Sequence, residues 1–171
     1  PALAQALAVS AQAGLPDIEV TASQGKLLQL LALAVGARRI LEVGTLGGFS
    51  AIWLARALPP AGRLVTLELS ATHATVAREN FRRAGLGAQI EVREGPALES
   101  LAQLCATQAE PFDLIFIDAD KPSIPAYMAA ALALSRIGTL ILVDNVVRQG
   151  QVVEALADPS VQGVRGMVEW A

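Results

Sequence analysis

Residues 39–50 read RILEVGTLGGFS, and the order of features in this stretch points to one class of fold. Residues 39–43 are a nearly continuous apolar run, which is typical of a parallel strand covered by helices on both faces. The glycines that follow let the backbone turn tightly and let a ligand approach the main chain, and a helical pattern begins at Phe49. A strand that passes through a glycine-rich turn into a helix predicts the first unit of a parallel α/β sheet.

The rest of the chain repeats this alternation. Further strands are predicted at residues 64–69, 89–93, 113–118 and 139–144, and helices at residues 1–13, 22–35, 49–58, 71–84, 97–107 and 125–135. Strands and helices that alternate in this way imply right-handed crossovers and a parallel sheet. The sequence therefore predicts an α/β protein with a Rossmann-like, doubly wound, mainly parallel sheet and helices on both faces. Without an internal repeat or linker, residues 1–171 are predicted to form one domain.

Composition excludes several classes of protein. The chain is 53% hydrophobic and 17% charged, which excludes a disordered protein. A net charge of −3 without a basic run argues against nucleic-acid binding. No apolar run reaches the roughly 18 residues that a membrane-spanning helix needs. The single cysteine, Cys105, cannot form an internal disulfide and fits a reducing compartment, so we predict a cytoplasmic protein that binds neither nucleic acid nor membrane.

The glycine-rich turn and one acidic residue predict a nucleoside-containing ligand. Ligands of doubly wound sheets bind beyond the carboxyl ends of the strands. The turn is not the G-x-G-x-x-G of dinucleotide enzymes, because Leu46 stands where a second glycine would admit a pyrophosphate, and no lysine follows as in a P-loop. Glu68 ends the second strand, where an acidic side chain accepts hydrogen bonds from ribose hydroxyls. Alone, Glu68 could equally be an exposed charge; with the turn, it favours the nucleoside.

Polar residues also follow the fourth and fifth predicted strands. Asp118 ends one, and Asp144 with Asn145 ends the other. If these strands are neighbours, their ends lie about 5 Å apart, and the three side chains converge. Oxygen donors without cysteine or histidine suit a hard cation, Mg²⁺ first, with Mn²⁺ or Ca²⁺ as alternatives. The aspartates could instead be helix caps and the asparagine a turn residue, but two adjacent carboxylates repel each other unless a cation lies between them.

Two further residues that often belong to functional sites are assigned structural roles. His73, the only histidine, lies among small and polar residues of a helix and is predicted to be a surface residue. Trp53 follows Phe49 at helical spacing and is predicted to be core or pocket wall. Neither is expected to take part in chemistry.

With these residues in place, the sequence resembles the cation-dependent O-methyltransferases, the family of the catechol and caffeoyl-CoA O-methyltransferases and many bacterial relatives. The resemblance extends from about Ile18 to Gln151. It rests on four motifs in order and at family spacing: residues 41–45 with Ser50, then Glu68, then residues 116–121, then residues 143–146.

The resemblance implies a cofactor, S-adenosylmethionine (SAM), and a role for each matching position. Glu42, Gly44 and Ser50 would hold its methionine end, with Val20 closing over it. Glu68 would bind the ribose, and Ala97, in the turn formed by residues 95–97, would flank the adenine. Asp118 would contribute to both the cofactor site and the metal site, where Asp144 and Asn145 join it. Lys121 matches the general base that would take the proton of a small phenolic or catechol-like acceptor.

Two departures from the family pattern accompany the resemblance. Pro96 stands in the adenine turn where many relatives have an acidic residue, so adenine contacts are expected to rest on the backbone and Ala97. Relatives continue with two further strands, one antiparallel, whereas this chain stops at Trp170 and Ala171 in a predicted helix. We therefore expect that the C-terminal part of the domain is absent, and that those residues or a homodimer would cover the fifth strand.

Two other functions compete with metal-assisted methyl transfer. A nucleotide-dependent oxidoreductase on the same fold is disfavoured by the missing G-x-G-x-x-G and by the acidic residues at strands four and five. A SAM-binding module without turnover is disfavoured because Asp118, Lys121, Asp144 and Asn145 are all present.

Overall fold

The computed structural model describes residues 1–154 and 158–168, and in this part of the chain five strands form one sheet. The helix expected at Trp170 and Ala171 lies outside the described residues. The strands are β1 (Arg39–Val43), β2 (Arg63–Glu68), β3 (Ile90–Glu94), β4 (Leu114–Ile117) and β5 (Leu140–Val143). All neighbours pair in parallel, in the order β3-β2-β1-β4-β5. The order reverses between β1 and β4, which confirms the predicted Rossmann-like, doubly wound sheet.

Seven α-helices surround this sheet in the described residues. They are α1 (Ala2–Gln12), α2 (Ala22–Ala34), α3 (Phe49–Ala55), α4 (Ala71–Arg83), α5 (Ala97–Ala106), α6 (Ile124–Ala133) and α7 (Pro159–Val168). Short 3₁₀ helices cover Lys121–Ser123 and Arg148–Val153. Helix α3 ends three residues before the predicted end at Leu58, ahead of the Pro59-Pro60 pair. None of the described helices has the length and apolar character needed to cross a membrane.

Two hydrophobic clusters cover the two faces of the sheet, as the apolar strands predict. Successive residues of β1 alternate between them: Ile40 packs in one cluster with Phe49 of α3, whereas Leu41 and Val43 pack in the other with Leu101 of α5. All five side chains are at most 6% exposed, so burial on both faces fixes the position of β1.

The register of the strands brings their carboxyl ends to the same edge. Val43 of β1 lies opposite Ile117 of β4, and Ile117 lies opposite Val143 of β5. The backbone N–H of Asp118 donates to the carbonyl of Val43 at 2.8 Å, and that of Asp144 donates to Ile117 at 3.0 Å. Gly44, Asp118 and Asp144 therefore start the loops of three neighbouring strands, as the sequence predicts.

Candidate active site

A cavity of about 750 Å³ lies at the carboxyl ends of the strands. It is bounded by the loop before α2, the glycine-rich turn, the start of α4, the start of α5 and the segment after β4. Of the residues predicted for the site, those that line this cavity are Val20, Gly44, Ser50, Glu68, Ala97, Asp118, Lys121 and Asn145. Glu42 and Asp144 do not belong to its lining.

The glycine-rich turn brings β1 into close contact with the loop after β4. Gly44 has a φ of +99°, and a Cβ atom there would lie 2.0 Å from the carbonyl oxygen of Asp118. Gly48, with a φ of +82°, caps α3, and a Cβ atom there would lie 2.3 Å from the Phe81 ring. Only glycine combines this backbone conformation with these close approaches.

Glu42 lies beneath the cavity and is fully buried. Its carboxyl group accepts hydrogen bonds from the hydroxyls of Ser50 and Thr66, each at 2.6 Å. Burial raises the pKa of Glu42 from 4.5 to about 7; these hydrogen bonds oppose the rise, and the negative charges of Asp118 and Glu68 add to it. Glu42 therefore holds Ser50 from below, and it is Ser50 that lines the cavity.

Glu68 is bound to the glycine-rich turn by backbone hydrogen bonds. One carboxylate oxygen, Oε2, accepts from the N–H groups of Thr45 at 3.2 Å and Leu46 at 2.8 Å. The other, Oε1, accepts from the N–H of Ser70 at 2.9 Å. The carboxylate is thus positioned by main-chain donors on two sides.

The structure corrects the expectation for His73. Its side chain is 27% exposed, lines the cavity, and places Nδ1 3.3 Å from Glu68 Oε1. The expectation of a surface residue was wrong because helix α4 begins only three residues after β2 ends, so its first turn faces the cavity. The short separation of Glu68 and His73 along the chain was the signal available in the sequence.

Asp118 and Lys121 form a partly buried ion pair beyond the end of β4. Lys121 Nζ donates to Asp118 Oδ1 at 3.0 Å, and Lys121 is 8% exposed. Helix α7 packs closely against the backbone here, because a Cβ atom on Gly163 would lie 2.0 Å from the carbonyl oxygen of Lys121. The lysine is therefore held through its side chain by Asp118 and through its backbone by α7.

Asp144 and Asn145 follow β5 next to this pair. Asp144 Oδ1 accepts the backbone N–H of Asn145 at 2.6 Å, and Asn145 has a φ of +57° and lines the cavity. Among residues 1–154 and 158–168, no group of three or more histidine, cysteine, aspartate or glutamate side chains is arranged to hold a metal ion. The predicted set contains two carboxylates and an amide, so the metal site remains a prediction.

Tyr127 and Asp120 also line the cavity and did not emerge from the sequence. Tyr127 is 5% exposed, and its hydroxyl donates to Asp120 Oδ1 at 2.5 Å. Burial and this hydrogen bond raise the pKa of Tyr127 to about 12, so its hydroxyl keeps its proton at neutral pH. Because Tyr127 falls within the apolar pattern of α6, its sequence context resembled an ordinary core position.

The parallel sheet and the cavity at its strand ends define a Rossmann-like α/β protein, and comparisons with known proteins give its family. The family model described as O-methyltransferase matches residues 1–169. The chain is 55% identical to a catechol O-methyltransferase of Niastella koreensis, over 91% of this chain and 71% of that protein. It is 53% identical to one from Mycobacterium tuberculosis, over 96% of this chain and 74% of that protein. The chain belongs to the O-methyltransferase family, as its motifs predicted.

Solved structures of relatives share the fold closely. The O-methyltransferase from Bacillus cereus in complex with SAH superposes with a TM-score of 0.97 at 55% identity, covering 99% of this chain and 77% of that one. TomG from Streptomyces achromogenes in complex with SAM gives a TM-score of 0.94 at 49% identity, covering 99% and 76%. Both are O-methyltransferases, so the prediction of an enzyme of this class is confirmed, and the oxidoreductase alternative is disfavoured.

Proposed function

We propose that this O-methyltransferase transfers the methyl group of SAM to a hydroxyl of a small, catechol-like acceptor with the help of a divalent cation. The observation that carries the proposal is that one cavity is lined both by Ser50 and Glu68, from the β1 and β2 part of the sheet, and by Asp118, Lys121 and Asn145, from the β4 and β5 part. It places groups suited to a nucleoside cofactor beside groups suited to a hydroxylated acceptor.

The cofactor would lie along the glycine-rich turn. The proposed contacts are Val20, Gly44 and Ser50 at its methionine end, with Glu42 acting through Ser50. Glu68 would accept hydrogen bonds from the ribose hydroxyls, and Ala97 would lie against the adenine. Two observations support this arrangement: Gly44, Ser50 and Glu68 line the same cavity, and SAH and SAM are bound in the solved relatives named above.

The metal would be bound by Asp118, Asp144 and Asn145. Their carboxylate and amide oxygens are the donors that Mg²⁺ prefers, with Mn²⁺ and Ca²⁺ as alternatives, and they follow neighbouring strands. A divalent cation bound there would supply Lewis acidity, lowering the pKa of an acceptor hydroxyl.

Lys121 is the proposed general base. Lys121 lines the cavity, and its Nζ lies 3.0 Å from Asp118 Oδ1. Once Asp118 binds the cation instead, the neutral amine of Lys121 would receive the proton of the acceptor hydroxyl. Proton transfer by a positioned side chain contributes about 10²- to 10⁴-fold to a rate. The rest of the chain's contribution is alignment, because methyl transfer needs the acceptor oxygen, the methyl carbon and the sulfur in line.

A methyl-transfer assay tests the proposal. Purified protein is incubated with SAM and catechol after treatment with EDTA, and Mg²⁺ is then restored. We expect methylated catechol only when Mg²⁺ is present. Full activity in excess EDTA would remove the metal from the mechanism, and no transfer to any vicinal diol with Mg²⁺ would reject the acceptor class.

Substitutions test the roles proposed for the site residues. Asp144→Asn should reduce kcat by more than about tenfold while SAM binding, measured by calorimetry, stays near the wild-type value. Glu110→Gln is the matched control, because Glu110 is 82% exposed and precedes β4 at the opposite edge of the sheet. Equal losses of SAM binding and turnover in the Asp144 variant would mean that this residue is structural.

A homodimer and a cytoplasmic location remain predictions. Size-exclusion chromatography with light scattering would test the first, and fractionation of the source cells would test the second.

A further inference from the structure

We infer that the buried hydroxyl of Thr66 is a positioning group for the cofactor site, because it holds Glu42 in the orientation that fixes Ser50. The inference rests on the proposed function, in which Ser50 contacts the methionine end of SAM. Thr66 belongs to none of the four family motifs and does not line the cavity, so its effect on cofactor binding would pass through its hydrogen bonds.

Thr66 is a polar residue within a buried, apolar part of β2. It lies between Val65 and Leu67, is fully buried, and stands opposite Glu42 in the register of β1 and β2. Buried polar groups in folded proteins are almost always hydrogen-bonded. The position of Thr66 therefore makes Glu42 its natural partner.

The hydrogen bonds of Thr66 connect Glu42 to the glycine-rich turn. Thr66 Oγ1 donates to Glu42 Oε2 at 2.6 Å and lies 2.5 Å from Thr45 Oγ1. A hydroxyl has one hydrogen to donate. Because Thr66 donates its own to Glu42, the hydrogen between the two threonines comes from Thr45, a residue that lines the cavity. Thr66 thus ties Glu42 to the turn that the cofactor is proposed to follow.

The carboxylate of Glu42 is held at both of its oxygens. Oε1 accepts the hydroxyl of Ser50 and Oε2 accepts that of Thr66, and within the described part of the chain Glu42 makes no further hydrogen bond. Since Glu42 is fully buried, bulk water cannot replace a lost partner, and an unpaired buried carboxylate oxygen is costly. Without the hydroxyl of Thr66 the carboxylate turns to share its remaining donor, and the orientation of Ser50 changes with it.

An effect on binding rather than on turnover follows from the layout of the sheet. Thr66 lies in β2, on one side of β1, whereas Asp118 and Lys121 follow β4, on the other side of β1. A change at Thr66 therefore alters the proposed cofactor contact at Ser50 and leaves the proposed general base in place.

Two variants of Thr66 test the inference. Thr66→Val has nearly the same shape but lacks the hydroxyl, whereas Thr66→Ser keeps it. Binding is measured at pH 8, above the pKa of Glu42 of about 7, so that the carboxylate accepts both hydroxyls. We expect Thr66→Val to raise the Kd for SAH and the KM for SAM about five- to tenfold, as for one lost hydrogen bond. The kcat should change less than about twofold, and Thr66→Ser should bind SAH within about twofold of wild type.

Thr139→Val is the matched control. The hydroxyl of Thr139 donates to the carbonyl of Phe112 at 2.7 Å, and Thr139 precedes β5 at the opposite edge of the sheet. This variant should lose stability in urea but bind SAH as wild type does. Thermal unfolding shows that each cofactor-free variant is folded at the assay temperature. If Thr139→Val weakens SAH binding as much as Thr66→Val, the loss reflects general destabilisation and the inference is overturned.

A double-mutant cycle then shows whether Thr66 acts through Ser50. In a Ser50→Ala background, Thr66→Val should weaken SAH binding by less than about twofold further. A full five- to tenfold further loss would overturn the inference, as would equal losses in Thr66→Val and Thr66→Ser or a loss confined to kcat. If wild-type protein fails to bind SAM at all, the proposed function falls, and the inference with it; if wild type binds and Thr66→Val binds equally well, the inference alone is rejected.

Discussion

Glu42→Gln should make the cofactor-free protein more stable at alkaline pH and leave its stability at acidic pH nearly unchanged. The fold favours the protonated carboxyl, because burial raises the pKa of Glu42 from 4.5 to about 7. The stabilising contribution of the protonated group is complete below pH 4.5, falls as the pH rises from 4.5 to about 7, and is lost above that. Glutamine is neutral throughout this range, so the variant lacks this dependence on pH.

The structure sets the size of the effect. The interval between the two pKa values corresponds to about 3 kcal/mol in the free energy of unfolding, at about 1.4 kcal/mol per pH unit. The two partners, Ser50 and Thr66, are hydroxyls that both donate and accept, so a glutamine amide can be paired in the same place. At pH 8 the variant should gain up to about 3 kcal/mol over wild type, about 6 to 12 °C in Tm for a chain of this size.

Urea unfolding at pH 5, 6, 7 and 8 measures this. The quantity of interest is the difference in the free energy of unfolding between variant and wild type at each pH, because the contributions of the other carboxyl groups cancel in that difference. Glu110→Gln, at an exposed carboxylate, should give a difference that does not grow with pH. The reasoning is refuted if Glu42→Gln loses stability equally at all four pH values, or if its stability depends on pH as that of wild type does.

Two glycine substitutions test the close approaches that shape the site. Gly44→Ala should cost more than about 2 kcal/mol of stability and abolish SAM binding, because its Cβ would meet the Asp118 carbonyl at 2.0 Å in a backbone with positive φ; urea unfolding and calorimetry measure this. Gly87→Ala is its control, since the nearest atom there is 3.7 Å away, and equal effects would contradict the steric argument. Gly163→Ala should displace α7 from Lys121 and lower kcat about tenfold with little change in the KM for SAM. Gly166→Ala, which meets only the side chain of Pro125 at 3.1 Å, should lower kcat less, and the opposite ranking in steady-state assays would show that α7 does not position the lysine.

Most of the fold could be predicted from the sequence, because the residues that end its strands and helices are easy to recognise. Strand β1 was predicted at its observed bounds, since an apolar run ends abruptly at Gly44. The convergence of Asp118 and Asp144 followed from placing β4 and β5 side by side, and the register confirms that placement.

The side-chain environment was harder to predict. That Glu42 holds the cofactor stays a prediction; the structure adds that its side chain is fully buried and hydrogen-bonded to Ser50 and Thr66. Its alternation with Leu41 and Val43 places it on the face covered by α3, a fact that motif matching alone does not use. His73 and Tyr127 were missed because the face a helix turns to a cavity depends on how the helix packs on the sheet, and short sequence patterns do not encode that packing.

The attachment of Glu68 to the glycine-rich turn has a consequence for engineering this enzyme. Since its carboxylate accepts the N–H groups of Thr45 and Leu46, replacing Glu68, which is proposed to bind the ribose, would also free the turn. Adapting the enzyme to synthetic sulfonium donors with modified nucleosides is better begun at Pro96 and Ala97, which line the cavity from the start of α5. A larger or smaller side chain there would change the space for the adenine proposed to lie against Ala97, while Glu68 would still hold the glycine-rich turn.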